Sequence, residues 1–185
     1  MRTISNRRLS RVGKNTRPMR GHGAVRNASP LPGIKIDKIL LPTDFSEPSK
    51  KALRYAKAFA RQFGAQLVLL HVVEPVPYTA DFGYGPVVRT QPDPRFLKRS
   101  QTHLRAIQQR QLCPECRCDS LVRGGFAFDE IAKAAKELKV DLIILATHGW
   151  TGLDHVLSGS TTERVVRHAP CPVLVIRENE HEFVR

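Results

Sequence analysis

From residue 36 onward, apolar residues fall into short unbroken runs, separated by stretches where they recur every three or four positions. Ile36-Asp37-Lys38-Ile39-Leu40-Leu41, closed by Pro42, predicts a first buried strand. Ser46 can cap a helix after it, and Pro48 falls in that helix's first turn, where a proline is tolerated. Ala52, Ala56, Phe59, Ala60 and Phe63 then mark the helix, which Gly64 stops. Leu67 to Val73 predicts a second buried strand without polar alternation, and the proline- and glycine-rich residues 74–94 predict a long loop. Phe96, Leu97, Ser100, Leu104 and Ile107 predict a second helix ending near Leu112. Cys118 to Val122 is a weaker strand, stopped by Gly124-Gly125. Phe128, Ile131, Ala132, Ala135 and Leu138 predict a third helix, Leu142 to Leu145 a strand, Thr161 to His168 a helix, and Val173 to Ile176 a last strand.

Five strands alternating with four helices imply an α/β fold: one doubly wound parallel sheet, buried on both faces by helices, with right-handed crossovers. Ligands of such sheets sit beyond the carboxyl ends of the strands. Pro42-Thr43-Asp44 lies at the end of the first strand. Ala146-Thr147-His148-Gly149 ends the fourth, and after nine further residues Gly159-Ser160-Thr161-Thr162 opens a helix. Small residues at a helix entrance let backbone N–H groups approach an anion, and the hydroxyls of Ser160, Thr161 and Thr162 can add donors. The spacing alone supports two readings: a polyphosphate cradle, or plain turns at Gly149, Gly152 and Gly159.

Charge changes the picture at the amino terminus. The net charge of +13 is unevenly spread. Residues 1–33 hold eight Arg and Lys and no acid, while residues 34–185 hold 22 basic and 17 acidic side chains, a net of +5. With several Gly and Pro and few large apolar residues, 1–33 is read as a basic, disordered extension, and 34–185 as the folded domain. That extension reads as a solvated leader, as a stretch ahead of another start at Met19, as an arm for nucleic acid or anionic surfaces, or as an organelle transit peptide. No apolar run reaches the roughly 20 residues of a transmembrane segment, and no signal peptide stands out. With four Cys in 185 residues, a cytoplasmic protein with reduced thiols is expected.

Four separated segments resemble the universal stress protein domain. They are Lys38-Ile39-Leu40-Leu41-Pro42-Thr43-Asp44-Phe45-Ser46, Ala146-Thr147-His148-Gly149-Trp150-Thr151-Gly152-Leu153, Leu157 to Val165, and His168-Ala169-Pro170-Cys171-Pro172-Val173-Leu174-Val175. The resemblance spans about residues 35–177. It implies a five-stranded parallel sheet in order 3-2-1-4-5, and a homodimer through the C-terminal strand, whose flat apolar edge would otherwise stay open. It also implies ATP, with Mg2+ bridging the outer phosphates. Under it Asp44 lies near the adenosine, with Pro42 and Thr43 beside it, and Val72 contacts adenine through its backbone. Ala146, His148 and Gly149 follow the ribose and first phosphates, while Gly159, Ser160 and Thr161 hold the outer ones. The nucleotide-binding branch of the family carries Gly-x2-Gly-x9-Gly-[Ser/Thr]. Here the first position is Ala146, and a residue with a Cβ does not take positive φ freely.

The remaining chemistry is sparse. His148 has no nucleophile or carboxylate placed beside it in the sequence and reads as a phosphate-positioning residue. Cys113-Pro114-Glu115-Cys116-Arg117-Cys118 reads as ordinary thiols in a turn and strand, or as a metal or redox group; Cys171 reads as packing. The chain lacks a GxxxxGK[ST] lysine, an acidic pair for two metals and an evident water-activating base. Those absences favour a nucleotide-dependent regulatory module in stress response, with slow or no hydrolysis and an unidentified regulatory partner, over a true ATPase. The alternative is a stress protein that binds no nucleotide and acts through dimerisation and partner contacts.

Overall fold

The computed structural model describes residues 33–75, 77–78, 87–88, 92–112, 116–147 and 160–184. The chain divides into two units, Met1–Gly33 and Ile34–Arg185; the basic extension falls on the first, outside the described residues apart from Gly33.

In the second unit, strands β1 (Lys38–Pro42), β2 (Gln66–Val73), β5 (Cys118–Gly124), β6 (Leu142–Ala146) and β7 (Val173–Ile176) form a sheet in the order β5-β2-β1-β6-β7. Every pairing in it is parallel. Counting only these five strands in chain order, the order is 3-2-1-4-5, as expected. Helices α1 (Glu47–Phe63) and α2 (Pro94–Ile107) pack on one face, against Ile39, Leu41, Leu67, Leu69 and Ile144. Helices α3 (Ala127–Leu138) and α4 (Ser160–His168) pack on the other, against Leu40, Val68, Leu70, Ile143 and Leu145. Residue alternation along each strand divides one apolar run between two cores, which is why β1, β2 and β6 show no polar alternation.

Helix α1 starts and stops as its sequence requires. The Ser46 hydroxyl accepts from the Ser49 N–H, and Gly64 closes the helix at φ +65°. Helix α3 closes without glycine, on Lys139 at φ +50°.

Four local expectations change. The loop after β2 contains a short antiparallel pair, β3 (Pro77–Tyr78) with β4 (Val87–Val88). Helix α2 begins at Pro94 rather than Phe96, because the Asp93 carboxylate accepts from the Arg95 N–H at 2.8 Å and proline suits the first turn. It runs into a π-helical turn, Gln108–Leu112. Strand β5 continues through Gly124 instead of stopping before it, since its pairing with β2 holds to the register Val73↔Gly124. Glycine is needed there for another reason: a Cβ would lie 2.2 Å from Pro92 Cγ.

Beyond β7 the chain crosses helix α1. Lys51 is only 9% exposed, and its ammonium donates to the carbonyls of Arg177 and Glu178, each at 2.8 Å, and pairs with Glu182 at 3.3 Å. The Phe183 ring meets Tyr55 edge-on, with centroids 5.0 Å apart. Cys171 is half-buried rather than fully packed away, and burial pushes its thiol pKa up.

Candidate functional site

The carboxyl end of β1 turns sharply into α1. Phe45 sits at φ +67°, a conformation that bulky side chains seldom adopt, so backbone strain is concentrated at this turn. The Phe45 N–H donates to Thr43 Oγ1 at 3.1 Å. Its ring lies between two imidazoles, His71 of β2 at 4.4 Å and His103 of α2 at 4.1 Å between centroids. His71 also donates through Nδ1 to the Thr43 carbonyl at 2.7 Å; a carbonyl only accepts, so Nδ1 carries the proton. Burial lowers the His71 pKa, partly opposed by the Thr43 carbonyl and by Asp44.

The strained turn aims Asp44 at the start of α1. Its Oδ1 accepts from the Ser46 N–H at 3.1 Å, from the Ser46 hydroxyl at 2.6 Å and from the Ser49 hydroxyl at 2.5 Å. A carboxylate beside a helix N-terminus is favourably placed, and this network fixes the loop.

Strand β6 lies next to β1, in the register Ile39↔Leu142 and Leu40↔Ile143. Continued along both strands, that register brings Thr43 level with Ala146. Ala146 is a strand residue without positive φ, so an alanine there carries no backbone strain. Its carbonyl accepts the Thr162 hydroxyl at 3.0 Å, with the Thr147 carbonyl a second acceptor at 3.4 Å. Thr162, only 8% exposed, thus ties the first turn of α4 to the end of β6. Its hydroxyl, read from the sequence as a phosphate donor, is engaged in that tie.

Pro42, Thr43, Asp44, Val72, Ala146, Ser160 and Thr161 thus all belong to the carboxyl ends of β1, β2 and β6 or to the entrance of α4, the helix that follows β6. His148, Gly149 and Gly159 lie outside the described residues, as does the side chain of Ser160. Four residues escape the sequence reading of the site: His71, His103, Phe45 and Ser49. A histidine inside the otherwise apolar run Leu67–Val73 is the signal for the first. Cys113 also lies outside the described residues. Cys116 Sγ faces the Leu112 carbonyl at 3.7 Å and Cys118 Sγ the Asp119 carbonyl at 3.5 Å. Among the described residues, no group of three or more His, Cys, Asp or Glu is arranged to hold a metal ion.

Residues 35–177 match the model of the universal stress protein family. The chain belongs to the universal stress protein family. A universal stress protein of Methanocaldococcus jannaschii is 32% identical over 146 residues, 78% of this chain and 84% of the relative. Among solved structures, the universal stress protein UspA from Lactobacillus plantarum is 30% identical and superposes with a TM-score of 0.64, over 78% of this chain and all of that one. A universal stress protein from Archaeoglobus fulgidus, solved in complex with dAMP, shares the fold at 22% identity and a TM-score of 0.51, over 78% of this chain and 99% of that one. The family match ends at Arg177, so residues 178–184 of the segment that crosses α1 lie beyond it. No helix among the described residues is long and apolar enough to cross a membrane.

Proposed function

We propose that this universal stress protein binds ATP at the carboxyl ends of β1, β2 and β6 and acts as a nucleotide-dependent regulatory module with slow or no hydrolysis. The observation that carries this reading is the tie from Thr162 to Ala146. It holds the entrance of α4, a nine-residue helix whose N-terminus favours anions, against the strand end that is level with Thr43 and Asp44. The dAMP complex of the Archaeoglobus fulgidus relative supports an adenine nucleotide as the ligand class.

The described residues fit such a ligand. Ala146, the departure from the family motif, has no positive φ, so its Cβ costs no backbone strain at that position. Ser160 and Thr161 open α4, where they would meet outer phosphates, and Gly149 and Gly159 would allow close backbone approach. Pro42, Thr43 and the backbone of Val72 would line the adenosine end beside Asp44. A bound Mg2+ would neutralise charge between phosphate oxygens. We further propose a cytoplasmic homodimer joined along β7, one of the two edge strands of the sheet.

Calorimetry with ATP and Mg2+ on four variants tests the site. Gly159→Val should abolish binding by filling the space where phosphate oxygens would meet backbone N–H groups. Ser160→Ala should weaken it about fivefold, the worth of a hydrogen bond of about 1 kcal/mol. Asp44→Ala should weaken ATP but spare inorganic triphosphate; a parallel melt is needed, because this carboxylate also fixes Ser46 and Ser49. Ala146→Gly should leave affinity unchanged or raise it. Wild-type protein that binds no nucleotide would favour the alternative, a stress protein working through partner contacts alone.

A further inference from the structure

Helix α2 presents a face that the nucleotide reading does not use. From Pro94 to Leu112 the chain contains Arg95, Lys98, Arg99, Arg105 and Arg110 and no acid. At about 100° per residue, Arg95, Lys98, Arg99, Thr102 and Arg105 fall within an arc of roughly 120°, opposite Leu97 and Leu104. The structure agrees: Leu104 and Leu112 are fully buried on the sheet, while all five cations are exposed. Arg95 is held by Asp93. Lys98, Arg99, Arg105 and Arg110 make no ion pair among the described residues. With the π turn that extends the helix, the track from Arg95 to Arg110 is about 22 Å long.

We infer that this face is a binding surface for the phosphate backbone of duplex nucleic acid, engaged without sequence preference. The chemistry of the face selects this partner. Four cations without acidic partners among the described residues, spaced along a rigid helix, leave their charge to an external polyanion, and a duplex offers a closely spaced line of phosphates. Gln109, exposed on the π turn that extends the helix, adds a neutral donor to phosphate oxygens. A membrane-lying helix would point its apolar side outward, but Leu104, Ile107 and Leu112 point to the protein core, and Phe96 is the one large exposed apolar residue of α2. Single-stranded binding relies on aromatic stacking platforms, which this face lacks apart from Phe96 at its amino-terminal edge.

Fluorescence anisotropy of the full chain on a duplex DNA of about 24 base pairs, followed as salt rises from about 50 to 300 mM, tests the inference against the variant Lys98→Gln/Arg99→Gln/Arg105→Gln/Arg110→Gln. The wild type should bind duplexes of unrelated sequence equally. The variant should lose at least about tenfold in affinity near 0.1 M salt, and its slope of log K against log salt should be shallower by about 3.6, or 0.9 for each of four lost contacts. The pair Arg99→Gln/Arg105→Gln should lose about half that slope, which keeps the test readable should the fourfold variant melt early. Equal affinity and slope in wild type and variants would overturn the inference and assign binding to the basic residues before Gly33. So would a wild type that ignores the duplex at the lowest salt, or variants that lose binding to phosphatidylserine vesicles but not to DNA.

Discussion

Replacing Thr162 with valine removes one hydroxyl and almost no volume. Thr162 is 8% exposed, and its hydroxyl donates to the Ala146 carbonyl at 3.0 Å with the Thr147 carbonyl close by. Valine keeps the β-branch, so no cavity opens, and the cost is that of a lost hydrogen bond and a deprived acceptor, about 1–3 kcal/mol. For a domain of this size, each kcal/mol lowers Tm by about 2–4 °C, so a loss near 1.5 kcal/mol should appear as a fall of about 3–6 °C in a calorimetric melt. Affinity should fall as well. With the tie gone, the first turn of α4 is no longer held to β6, and ATP binding should weaken about fivefold or more, roughly 1 kcal/mol. Thr162→Ser keeps the donor and should retain affinity within about twofold, since its cost is a lost methyl near 1 kcal/mol of stability rather than a lost tie. If Thr162→Val melts and binds as the wild type does, the bond does not hold the helix entrance. If serine and valine lose affinity alike, packing rather than the hydroxyl is responsible.

Other residues carry further expected outcomes. Lys51→Met keeps the packed stem but removes two bonds to carbonyls and the charge facing Glu182; it should cost about 2–3 kcal/mol and speed amide exchange over residues 178–184, and exchange unchanged there would show that Lys51 does not anchor the segment. Gly124→Ala places a methyl 2.2 Å from Pro92 Cγ and should destabilise by about 1–3 kcal/mol; a melt like the wild type's would mean that the Pro92 segment shifts at no cost. His71 has a folded pKa below its ordinary 6.5, so the unfolded chain binds its proton first as pH falls. Its contribution therefore destabilises the fold increasingly from about pH 7 downward, and His71→Gln should flatten the loss of stability between about pH 7 and 5; an unchanged slope would assign that loss to other groups.

Much of the fold is legible because β1, β2 and β6 are runs of Leu, Ile and Val with no polar alternation, which only a sheet covered on both faces accommodates. The edge strand β5 runs two residues past its expected end, since that end is decided by pairing with β2 and not by its own glycine. The start of α2 is written in Asp93-Pro94 and outranked by apolar periodicity that begins at Phe96. The candidate site is legible where it is a motif, as at Pro42-Thr43-Asp44 and Ala146. It is not legible where three elements meet, as in the stack of His71, Phe45 and His103, because no periodicity carries a contact between a strand, a turn and a helix. The hydroxyl of Thr162 shows the same limit: sequence identifies a donor, and packing decides what receives it.

The proposed function requires an adenine nucleotide at the carboxyl end of this sheet. Purified, tag-free protein, heat-denatured and chromatographed, should release adenine nucleotide, and the stripped protein should then bind ATP with Mg2+ at a Kd well below about 1 mM by calorimetry, a binding free energy more favourable than about −4 kcal/mol. Release of no nucleotide together with no affinity below about 1 mM would overturn the nucleotide site.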